Sequence, residues 1–69
     1  MGTLTYNEYL FLRLLETNNY NFGLIEYDRQ FEIAKREYKK FEDSNYNNPD
    51  ENLYECIIEY LNDTEINLD

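Results

Sequence analysis

The 69-residue chain has no histidine and no tryptophan, one cysteine, one proline and two glycines. Without histidine the commonest general base and metal ligand is missing. Cys56 has no second thiol to pair with and no histidine to activate it, so it reads as a buried structural thiol in a reducing compartment. Gly2 and Gly23 are too few and too far apart to build a phosphate-cradling loop. Met1-Gly2-Thr3-Leu4 carries no basic region and starts no long apolar run, which predicts neither a secretory signal nor a membrane span. A myristoylation match beginning at Gly2 fails because Tyr6 stands where Ser or Thr is required. Together these absences predict a non-enzymatic cytoplasmic protein with no catalytic residues, no cofactor and no metal.

One further absence is local. Residues 43–69 contain no Lys or Arg, yet hold Asp43, Asp50, Glu51, Glu55, Glu59, Asp63, Glu65 and Asp69. Residues 22–42 balance five cations against five acids, so nearly all of the net charge of −9 sits in the last third.

What the chain does contain is aromatic surface and helical periodicity. A domain this short buries only about 60% of its unfolded surface. Its 8 tyrosines and 4 phenylalanines offset that small core, since each buries a large apolar area. Leu24, Tyr27, Phe31, Ala34, Tyr38 and Phe41 follow one another at steps of three and four, which predicts one apolar seam along a helix. Phe31, in the middle of that run, is the expected centre of the core.

An earlier helix is expected to begin at Thr5. Thr5 and Glu8 stand in the S/T-x-x-E relation of a capping box. Tyr6, Leu10, Phe11, Leu14 and Leu15 form its inward face, with Tyr9 and Leu12 outside it and Leu12 a candidate contact. Asn18-Asn19 suits a left-handed helix stop, and the stretch from Tyr20 reads as a loop that tucks Phe22 into the core. After a polar loop, Asn48-Pro49-Asp50-Glu51 reads as N-cap, first-turn proline and first-turn acids of a last helix. That helix carries Leu53, Tyr54, Ile57, Ile58 and Leu61 inward, and the tail after it frays or docks Ile66 and Leu68. The expected fold is all-α, a small antiparallel three-helix bundle in a single domain, with helices at about 5–18, 22–42 and 49–62.

Three features invite a functional reading. Asp43, Asn45 and Asn47 match the first ligand positions of a calcium loop, but Asn48 replaces the turn glycine and Tyr54 the bidentate Glu, so turn formation is the better account. Arg29, Lys35, Arg36, Lys39 and Lys40 could suggest a nucleic-acid-binding helix. Interleaved acids compensate them, as Glu32 would Arg36, and the overall charge repels phosphates, so no direct nucleic-acid binding is expected. The third feature is an acidic stripe. Glu51, Glu55, Glu59 and Asp63 recur every four residues and so share a helix face, about 6 Å apart along the axis. Such neighbours repel by about 0.2–0.5 kcal/mol per pair. Tyr54 and Tyr60 flank the stripe, and tyrosine is enriched at interface hot spots. Glu51, Glu55, Glu59, Asp63, Tyr54 and Tyr60 are therefore the candidate partner-binding residues.

In size, acidity, helical build and a bias toward Asn, Tyr, Ile, Lys, Phe and Glu that suits an AT-rich genome, the chain resembles small phage-encoded inhibitors of host enzymes or defence systems, including anti-CRISPR and DNA-mimic proteins. The resemblance is one of general character and assigns no residue roles. It implies a partner that is a larger protein with a basic, nucleic-acid-binding surface, met in the cytoplasm of a host cell. Two further readings are an immunity protein or antitoxin against a basic toxin, and a homodimer or larger self-assembly built on the Leu24–Phe41 seam.

Overall fold

The computed structural model describes residues 3–68; Met1, Gly2 and Asp69, which enter the readings of the N-terminus and the tail, lie outside them. Thr5 begins the first helix as its sequence predicts. Its hydroxyl accepts from the Glu8 N–H at 3.1 Å, and its own N–H donates to Glu8 Oε1 at 2.9 Å. The helix, α1, runs Tyr6–Asn18. It stops without a left-handed residue: Asn19 is extended, and no described residue has a positive φ. The Asn19 N–H closes α1 onto the Leu15 carbonyl at 2.9 Å, while its side-chain oxygen accepts from the Phe22 N–H at 3.2 Å. One asparagine thus ends α1 and caps the next element.

That element is a one-turn helix, α2, Tyr20–Gly23, where a loop was the expectation. Phe22 does reach the core, fully buried. The chain turns again at Leu24–Glu26, so the expected helix over 22–42 is broken near its start, beside Gly23, a residue type that disfavours helix. The Phe22 carbonyl takes two bonds there, from the Ile25 N–H at 3.1 Å and from Gln30 Nε2 at 3.0 Å. Gln30 is thereby buried with its amide paired.

α3 spans Tyr27–Glu42, and its buried residues are Gln30, Ile33, Ala34, Glu37, Tyr38 and Phe41. This stripe is rotated from the seam read in the sequence. Leu24 and Tyr27 are 69% and 62% exposed, and Phe31 is only half-buried, with its ring 4.6 Å from that of Tyr27. The true face contains a glutamine and a glutamate, which an apolar pattern cannot count. Glu37 is 2% exposed, and its Oε2 is held by Arg36 Nε at 2.8 Å and Lys40 Nζ at 3.3 Å. Arg36 therefore pairs with Glu37 and not with Glu32, whose partner is Arg29.

The last helix, α4, is Leu53–Asp63, four residues later than expected. Asn48 spends its side-chain oxygen on the Asp50 N–H at 3.0 Å, and its carbonyl accepts from the Glu51 N–H at 3.1 Å. Asn48 to Glu51 is therefore a turn. Asn52 is the N-cap instead, accepting from the N–H groups of Tyr54 at 2.8 Å and Glu55 at 3.4 Å. Beyond α4 the tail packs back, with Ile66 and Leu68 half-buried against the core and the Arg36 guanidinium donating to the Asn67 carbonyl.

The described residues form four helices and no strand. α1 packs against α2, α3 and α4, so it is the element the others share. This explains Leu12, expected outside the core and found 2% exposed: α1 is covered on more than one side. Tyr6, expected inward, is exposed at the first position of the helix. At the shared junction the Phe11 ring lies 5.7 Å from Tyr38, 6.1 Å from Phe41 and 6.3 Å from Tyr60. No helix is long and apolar enough to cross a membrane among the described residues.

Phe11→Ala should cost about 3–5 kcal/mol, whereas Phe31→Ala should cost much less because its side chain is partly in water. Urea melts of the two variants test this. An equal loss in both would return Phe31 to the centre of the core.

Candidate interaction surface

α4 is amphipathic because its apolar and acidic residues keep separate faces. Cys56, Ile57 and Tyr60 are buried; Glu55, Glu59 and Asp63 are exposed and recur every four residues. Tyr54 is also exposed, beside Glu55 at the helix start. The structure therefore brings Tyr54, Glu55, Glu59 and Asp63 together on one rigid element. Two of the six candidates stand apart. Glu51 is exposed but precedes the helix, in the turn closed by Asn48, and its Oε2 lies 3.9 Å from Cys56 Sγ. Tyr60 is 5% exposed and belongs to the core, its ring 5.4 Å from Phe41.

The four acids at positions 51, 55, 59 and 63 are not equivalent. Asp63 accepts from the Tyr46 hydroxyl at 3.0 Å, and the Tyr46 ring stands edge-on to Tyr60 at 5.6 Å. The loop before α4 is thus pinned to its far end. Glu55 and Glu59 have no ion pair: the pairs seen among the described residues, Arg29–Glu32, Arg36–Glu37 and Lys40–Glu37, all lie within α3. Cross-bundle neutralisation by the α3 lysines is not what the fold does. Glu55 and Glu59 hold their charges in water, on a helix with no cation of its own.

Tyr46 was not among the residues the sequence singled out. Its signal was there: it is the one aromatic in the polar stretch between α3 and α4. In the same stretch Asn47 Nδ2 donates to the Glu42 carbonyl at 3.3 Å and Ser44 Oγ to the Phe41 carbonyl at 2.6 Å, so these polar side chains serve the turn. No group of three or more metal-ligating side chains forms among the described residues. The chain matches no protein-family model, no curated protein and no solved structure.

Three phenols here hold their protons more tightly than a free tyrosine. Burial raises Tyr38 and Tyr60, with Glu37 adding to the shift at Tyr60. For Tyr46 the main cause is the hydrogen bond to Asp63, which only the protonated phenol can donate. In the unfolded chain these groups ionise near pH 10, so above that the unfolded state binds fewer protons than the native one. The stabilisation from the raised phenols is thus complete below about pH 10 and is lost as pH climbs through the folded values. Melting temperature should fall steeply from pH 10 upward, and less so in Tyr46→Phe. A melting temperature that stays level to about pH 11 would show that none of the three is held.

Exposed acids without partners also repel one another, so NaCl should raise the melting temperature by screening them. CaCl2 should do no more than MgCl2 at equal ionic strength. A saturable calcium-specific rise would mean that Asp43, Asn45 and Asn47 form a binding loop.

Proposed function

We propose that this protein is a non-enzymatic binding protein whose α4 face occupies a basic, nucleic-acid-binding surface on a larger protein. The observation that carries the reading is the pair Glu55 and Glu59, exposed, unpaired and one turn apart on one face of α4, with the exposed Tyr54 beside Glu55 at the helix start. Two carboxylates about 6 Å apart on a rigid helix repeat the charge spacing of a phosphate strand. A stretch without a single Lys or Arg sustains the negative potential around them. Complementary potential speeds encounter and rejects acidic competitors. The reading places the protein in the cytoplasm and, through its general resemblance, among phage-encoded inhibitors of the anti-CRISPR or DNA-mimic kind. An immunity protein or antitoxin facing a basic toxin would use the same face. We take the three longer helices to form an antiparallel bundle, a view supported by the packing of α1 on both α3 and α4.

A second reading has its own observation. Leu24 and Tyr27, part of the apolar seam, stay exposed with Tyr20 nearby in the chain. Homodimerisation through them would make the protein a self-assembling module, and its mass in solution would rise with concentration.

The test of the first reading is the double change Glu55→Lys, Glu59→Lys. Both side chains are exposed and unpaired, so the melting temperature should change little. Affinity capture from a bacterial lysate should recover nucleic-acid-binding proteins on the natural chain, eluted by salt, and lose them on the variant. Capture of the same proteins by both would reduce α4 to scaffold.

A further inference from the structure

The ends of α1 and α4 meet at a groove of about 580 Å³, the size of a small-ligand site. Asn19 and Thr64, the residues that follow the two helices, both line it. The carbonyl end of a helix carries partial negative charge, and a Lys or Arg in the last turn commonly relieves it. Neither α1 nor α4 has a basic residue in its last turn. No cation is found among the residues lining the groove either, whereas Glu65 adds a full negative charge at its edge. Arg36 reaches the Asn67 carbonyl but is not a lining residue, and Glu37 holds its guanidinium.

The groove is apolar in part: buried Leu15 and half-buried Leu61, Ile66 and Leu68 line it. Polar side chains share it. Asn18 gives its amide N–H to the Leu14 carbonyl at 3.1 Å, which leaves its oxygen as an acceptor. Two helix ends, a carboxylate and an amide oxygen are a poor match for an anion. Leucine and isoleucine side chains are a poor match for a bare metal ion. A cation on an aliphatic stem satisfies both sets.

We propose that this groove receives a lysine or arginine side chain from a partner protein, its stem along Leu15, Leu61, Ile66 and Leu68 and its charged head toward Glu65 and the two helix ends. This site is separate from the Glu55 and Glu59 face of α4 and does not depend on that face being an interface.

The probes are two capped tripeptides, Gly-Lys-Gly and Gly-norleucine-Gly, and n-butylammonium, each titrated into isotope-labelled protein and followed by amide NMR shifts. The lysine peptide should move, saturably, the resonances of Asn18, Asn19, Asn21, Thr64 and Glu65, and the norleucine peptide should not. Glu65→Gln should weaken the lysine peptide about threefold, the scale of one exposed ion pair. The Glu55→Lys, Glu59→Lys variant should keep the groove shifts, so that loss of partner capture and loss of groove binding can be told apart. Equal shifts from norleucine would overturn the charge recognition, and shifts confined to the α4 face or absent altogether would overturn the site. n-Butylammonium, the lysine side chain without its backbone, should move the same resonances, and its failure to do so would overturn the assignment of the groove to a lysine side chain.

Discussion

The fold depends on the contact between Phe11 of α1, Tyr38 and Phe41 of α3, and Tyr60 of α4. Four rings from three helices meet edge-on or tilted, the arrangement aromatic quadrupoles favour. A chain of this length has few other places to bury apolar area. Tyr46 extends the cluster to the loop before α4, and its hydroxyl ties that loop to Asp63. The exposed carboxylates of α4 are therefore presented on a helix whose opposite face is fastened to the core.

Polar groups define the edges of that core. Gln30 is buried so that its amide can meet the Phe22 carbonyl, which joins α2 to α3 where the chain turns. Glu37 is buried with its carboxylate between Arg36 and Lys40, and Arg36 also holds the tail through Asn67. Burying such a group unpaired would cost several kcal/mol, so each position demands its partners. The tail is not a loose end among the described residues. It closes one side of the groove between the ends of α1 and α4.

Charge is divided by element. α3 pairs Glu32 and Glu37 with its own cations, whereas among the described residues α4 pairs neither Glu55 nor Glu59 with a cation. A helix bearing repeated acids without relief loses some stability to repulsion. That loss has a natural use if the carboxylates meet a cationic surface. The groove follows the same logic at smaller scale, with helix ends left without the basic residues that usually accompany them.

Much of the helical content was legible in the sequence, because capping chemistry and periodicity are local. Thr5 and Glu8 specify the start of α1, and Glu55, Glu59 and Asp63 share a face wherever α4 begins. Local rules left choices open where neighbours compete for the same role. Asn48 and Asn52 are both good caps, and the turn at Pro49 decided for Asn52. The rotation of α3 was beyond an apolar pattern, because its buried face includes Gln30 and Glu37, whose partners lie on α2 and among α3's own cations. Tyr60 looked like a neighbour of the acids and proved to be core, since only the position of Phe11 and Phe41 determines which side of α4 is covered. The sequence by itself determined helices, caps and an acidic last third. Tertiary packing decided which tyrosines reach water, which acids stand alone and that two helix ends share a groove, because each depends on residues distant in the chain.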